Sequence, residues 1–88
     1  MILSKYTVLQ LIVACGLSRR LERSEICRIS NCTQGYITKL LMKQDFHDLV
    51  TMFQLLPPDN DTKEYQGKRT IMMEVGRLIY LYGDKLSG

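Results

Sequence analysis

Gln34, Thr38, Lys39 and Lys43 lie within ten residues of one another, and their types and spacing fit one definite chemistry. An amide and a hydroxyl exchange hydrogen bonds with base edges, and two ammonium groups take backbone phosphates, provided that all four share the outer face of a helix. Other chemistries find little material. His47 is the only histidine, and Asp45 and Asp48 beside it read as helix-start and surface residues rather than as an acid/base pair. Cys27, Cys32 and His47 are metal ligands by type, but a four-ligand site needs another Cys or His in a workable position. The glycines are scattered singly, so the chain has no phosphate-cradling loop. The expectation is a protein with no catalytic role, no cofactor, no metal and no small-molecule substrate.

The segment Arg23 to Met42, RSEICRISNCTQGYITKLLM, has the pattern needed to hold those four side chains outward. Two short helices crossing at a tight turn require apolar facing residues, a small residue at the contact and a permissive residue at the corner. Ile26 is the apolar plug, Cys27 the small contact and Asn31 the corner residue that tolerates a left-handed backbone. Cys32 starts the return to the core, and the Thr33 hydroxyl is placed to cap the next helix. Ile37, Leu40 and Leu41 then recur at helical spacing and turn inward. Gln34, Gly35, Thr38 and Lys39 are left outside, near the end that meets bases and phosphates in a helix-turn-helix. Two positions fit poorly. Ser30 stands where a Leu-like residue usually approaches the corner, and Gly35 costs a helix roughly 1 kcal/mol relative to Ala. A plain helical hairpin is the alternative reading of the same spacing.

Charge is distributed unevenly. Up to Gln44, the basic residues Lys5, Arg19, Arg20, Arg23, Arg28, Lys39 and Lys43 face only Glu22 and Glu25, a net of +5. The remainder of the chain sums to −2, so the total of +3 conceals a positive field on the half that carries the motif. Such a field favours phosphate.

At 88 residues the chain is one domain with a core of marginal size. Its abundance of Leu, Ile and Met, with two prolines and no tryptophan, suits an all-α fold: a small helical bundle containing the helix-turn-helix. Ile12, Val13, Ala14 and Cys15 fit a bacterial lipoprotein cleavage box, but Gln10 interrupts the apolar run, which is also too short to cross a bilayer. A buried first helix from about Ser4 to Cys15, capped by Ser4 and stopped by Gly16, accounts for these residues. A further helix from Asp45 to Leu56, with Asp45 as its cap, places Phe46, Leu49, Val50, Phe53 and Leu56 at three-and-four spacing. Pro57 and Pro58 end it, and residues 57–68 read as an exposed connection with nothing to bury. A last helix, about 69–82, carries Met72, Val75, Ile79 and Tyr82 on one side with Ile71 and Leu78 beside them. That broad face either completes the core or pairs with a second copy, and symmetric pairs commonly read two DNA half-sites.

Arg23, Glu25, Ile26 and Cys27, then Gly35, Tyr36, Ile37, Thr38 and Leu41 after seven intervening residues, resemble the core of the PapB-type regulators of bacterial fimbrial adhesin genes. That core reads R-x-E-V-C, seven residues, then G-Y-F-S-x-x-L. The resemblance extends over roughly Thr7 to Pro58 and is closest from Arg23 to Leu41. It implies a cytoplasmic protein that forms homo-oligomers on AT-rich double-stranded DNA and controls transcription of surface organelles. The mode of oligomerisation does not carry over, because the additional residues follow the core here and precede it in the family.

The expected DNA-binding residues are therefore Thr33, Gln34, Gly35, Tyr36, Thr38, Lys39 and Lys43, with Arg19, Arg20, Arg23 and Arg28 supplying nearby backbone contacts. The competing expectation is a helical interaction module, an antagonist or adaptor that occupies a partner regulator rather than DNA.

Overall fold

A computed structural model describes residues 5–83, and every regular element among them is helical: α1 (Val8–Ser18), α2 (Arg23–Ser30), α3 (Gln34–Leu41), α4 (Gln44–Gln54), a 3-10 turn (Asn60–Thr62) and α5 (Lys68–Tyr82). The fold is all-α, as expected from composition.

α1 is the axis of the core, packing on α2, α4 and α5. Leu11, Val13, Ala14, Cys15 and Gly16 are all buried, which takes in more than one side of the helix. Its start differs from the expected Ser4 cap, which lies outside the described residues. Thr7 caps it instead: the Thr7 hydroxyl accepts from the Gln10 amide at 3.2 Å, and the Thr7 amide donates to the Gln10 side chain at 3.0 Å.

Gly16 does not stop α1. A Cβ there would lie 2.8 Å from Cγ1 of Ile26, so the glycine is the point at which α1 and α2 touch. The helix runs on to Ser18 and closes with the Arg20 amide donating to the Leu17 carbonyl and the Leu21 amide to that of Gly16. Arg20 takes the left-handed conformation that this closure requires, at φ 61°. Cys15, the cysteine of the lipoprotein-like box, is fully buried; its thiol reaches the Glu74 carboxylate at 3.1 Å, and burial pushes its pKa upward.

α4 buries Phe46, Leu49 and Phe53, in keeping with their spacing. Asp45 is not its cap. Lys43 holds that position without a side-chain hydrogen bond, while Asp45 sits in the first turn and binds Lys5 Nζ at 2.9 Å. The Asp45 carbonyl also accepts from the Tyr6 hydroxyl at 2.7 Å, fastening the segment before α1 to α4.

The connection 57–68 buries more than its composition suggested. Thr62 is buried, and Tyr65 is partly buried with its hydroxyl donating to Glu25 Oε2 at 3.0 Å. α5 is also rotated from the expected face, burying Thr70, Ile71, Val75 and Leu78 and leaving Met72 and Ile79 outside. Thr70 draws its side inward because its hydroxyl accepts from the Gln66 amide at 2.8 Å and donates to the Glu64 carbonyl at 3.4 Å. A hydropathy pattern gives Thr little weight, yet here it fixes the rotation.

Candidate nucleic-acid interface

Asn31, Cys32 and Thr33 join α2 to α3, and the corner follows from their chemistry. Asn31 is left-handed at φ 57°, ψ 46°, and the Cys32 amide closes on the Cys27 carbonyl at 3.3 Å. Thr33 caps α3 by accepting from the Tyr36 amide at 3.1 Å. Ile26 and Ile29 of α2 and Ile37 and Leu40 of α3 are buried together in the core. Ile29 supplies the apolar contact missing at Ser30. The Ser30 hydroxyl is itself satisfied, donating to the Ile26 carbonyl at 2.6 Å, with Cys32 Sγ 3.0 Å away.

The outer strip of α3 is formed by Gln34, Gly35, Thr38, Lys39 and Met42, with Lys43 following, and all six are exposed. Tyr36 is half-buried and packs on the core. α3 carries no acidic residue in its first turn, and the amides of Gln34 and Gly35 have no hydrogen-bond partner among the described residues. The positive end of its helix dipole is thus open to an anion. Arg23, at the first position of α2, reaches across to this strip: its Nη1 donates to Thr38 Oγ1 at 2.9 Å, while the Thr38 hydroxyl donates to the Gln34 carbonyl at 3.2 Å.

The expected arginines separate into two groups. Arg20 and Arg23 are exposed and, like Lys39 and Lys43, have no acidic partner among the described residues. Arg28 is exposed but paired with Glu25 at 2.6 Å, an interaction that holds the Glu25 carboxyl below its ordinary range. Arg19 departs most from expectation. Its guanidinium pairs with Glu74 and lies over the Tyr65 ring at 5.6 Å to the centroid, with its side chain only 21% exposed. The reason is its place as the cap of α1, from which it points toward α5 rather than toward α3. Arg19 is a packing residue.

Met42 was not among the expected site residues, although it is 81% exposed between Lys39 and Lys43. Three successive apolar residues, Leu40, Leu41 and Met42, cannot all face inward from one helix end, and that was the available signal. An exposed thioether at a groove suits the apolar methyl edge of thymine. His47 lies at the other side of the same junction, its Nε2 2.5 Å from the Leu41 carbonyl, where it ties α4 to the end of α3. Burial, and secondarily the neighbouring Cys32, raises the Cys27 thiol pKa. No cluster of three His, Cys, Asp or Glu side chains able to hold a metal occurs among the described residues. No helix among them is long and apolar enough to cross a membrane.

Set against protein-family models, curated proteins and solved structures, the chain matches none of them.

Proposed function

We propose that this protein is a sequence-specific DNA-binding transcriptional regulator in which α2 and α3 act as a helix-turn-helix. The observation that carries the reading is the outer strip of α3, where an open helix N-terminus, Gln34, Thr38 and unpaired Lys39 share one surface, linked to α2 through Arg23, with unpaired Lys43 exposed just beyond the helix. α3 is the recognition helix. Gln34 and Thr38 read base edges, Met42 contacts thymine methyls, and Lys39, Lys43, Arg20 and Arg23 take phosphates. The likeness of residues 23–41 to the PapB-type core supports a regulator of fimbrial genes acting on AT-rich sites in the cytoplasm.

Titration of random duplex DNA by fluorescence anisotropy tests the reading. Affinity is expected to fall steeply as salt is added, and Lys39→Ala and Lys43→Ala each to lower the salt slope by about 1. Selection from a random duplex pool is expected to yield a common motif that Gln34→Ala relaxes. Absence of binding at low salt, with a protein partner recovered by pull-down, overturns the reading in favour of an adaptor or antagonist.

A further inference from the structure

The outer face of α5 is apolar. Met72, Ile79 and Tyr80 are 39%, 41% and 83% exposed, and they surround Gly76, above which a Cβ would meet nothing within 4 Å. At 100° per residue these positions share one side of the helix, with Arg69 and Gly83 at its ends. The packing of α5 against α1 and the 3-10 turn occupies its other side.

From this arrangement we infer that α5 pairs with α5 of a second copy, antiparallel, crossing at Gly76. Residues are distributed symmetrically in size about that glycine: Met72 and Tyr80 lie four positions away on either side, and Met73 and Ile79 three. A two-fold axis through Gly76 sets Met72 against Tyr80 twice, a favourable sulfur–aromatic contact, while the two glycines let the backbones approach. Charge selects the same direction. Lys68 and Arg69 stand in the first turn of α5, which holds no acidic residue, so they oppose the dipole of their own helix. An antiparallel copy places them beside the negative C-terminal end of the partner helix; a parallel copy would set the four cations against one another. Glu74 and Arg77 do not intrude, being paired with Arg19 and Asp59.

Met72, Ile79 and Tyr80 together offer on the order of 400 Å² per protomer, about half of what a standard stable interface contributes from each side. The pair is therefore concentration-dependent rather than obligate.

Sedimentation equilibrium of the full chain without DNA tests the inference independently of the regulator reading. The average mass is expected to rise from 10.2 kDa toward twice that between about 1 µM and about 1 mM. Tyr80→Glu and Gly76→Gln are each expected to raise the dissociation constant at least about tenfold, with helicity by circular dichroism unchanged. Met72→Lys combined with Tyr80→Glu is expected to recover association, since the antiparallel register brings lysine against glutamate twice. A mass constant at the monomer value, or a dimer indifferent to both single variants, overturns the interface. Failure of the double variant to associate overturns the register.

Discussion

The guanidinium of Arg23 and the hydroxyl of Thr38 are 2.9 Å apart, joining the first residue of α2 to the exposed middle of α3. Thr38 therefore has two duties, since the same hydroxyl also donates to the Gln34 carbonyl. Thr38→Val keeps the shape and removes both bonds. Because the pair is exposed, the stability cost is expected to stay within about 1 kcal/mol. In the proposed DNA-binding reading the salt slope is expected to hold while discrimination among sequences changes, because the hydroxyl assigned to a base edge is gone and no charge is removed. Arg23→Ala is expected to do the reverse, lowering the slope by about 1. Parallel anisotropy titrations of the two variants distinguish these effects.

Three helical glycines are expected to respond to alanine with different signs. Gly16→Ala forces a methyl to within 2.8 Å of Ile26 Cγ1, deep in the core, where Ile26 is nearly inaccessible. Overpacking of this kind costs about 1–3 kcal/mol, more than the roughly 1 kcal/mol that the helix gains from alanine. At Gly76 the space is open, and at Gly35 the nearest heavy atom is Thr33 Oγ1 at 3.8 Å, so both substitutions are expected to stabilise by about 0.5–1 kcal/mol. Urea denaturation reads all three. A stabilised Gly16→Ala would mean that α1 and α2 do not meet there.

Gly35→Ala has a second consequence. Nothing among the described residues crowds this exposed position, and in the proposed DNA-binding reading a glycine here lets the duplex approach the backbone of α3. The variant is expected to bind DNA more weakly although it is more stable. Equal or tighter binding would remove Gly35 from the interface.

Glu25 makes stability dependent on acid. The hydrogen bond from Arg28, aided by that from the Tyr65 hydroxyl, lowers its pKa in the folded chain. The folded state therefore binds this proton less readily than the unfolded chain. The stabilisation is complete above the unfolded value of about 4.3 and disappears as pH falls through the lower folded value. The difference in Tm between the native protein and Glu25→Gln is expected to be level from neutrality to about pH 5 and to close below about pH 4. A difference that persists unchanged to pH 3 would show that the carboxylate charge plays no part.

The parts of the fold legible in the sequence were those governed by local rules. Asn31 and Thr33 announce a corner through backbone permissiveness and capping, and Phe46, Leu49 and Phe53 announce a helix face through spacing. What escaped depends on contacts between distant segments. Gly16 reads as a helix stop until Ile26 is known to press against it, and residues 57–68 read as exposed until Tyr65 is found on Glu25. Arg19 and Arg20 are neighbours with the same charge, yet one is the cap and the other the left-handed residue after it, so they diverge. No property of either side chain alone distinguishes them.

That divergence leads to a test of Arg20. A left-handed arginine is strained by roughly 1 kcal/mol relative to glycine, the residue most often found where a helix closes in this way. The exposed guanidinium has no acidic partner among the described residues, so no ion pair there offsets the strain. Arg20→Gly is therefore expected to raise stability by about 1 kcal/mol in urea denaturation. If the charge serves phosphate, the same variant loses affinity on every duplex alike, and its salt slope falls by about 1. A gain in stability with unaltered binding would take Arg20 out of the interface and leave its strain without a functional counterpart. A loss of stability would instead mean that the arginine side chain supports the turn between α1 and α2.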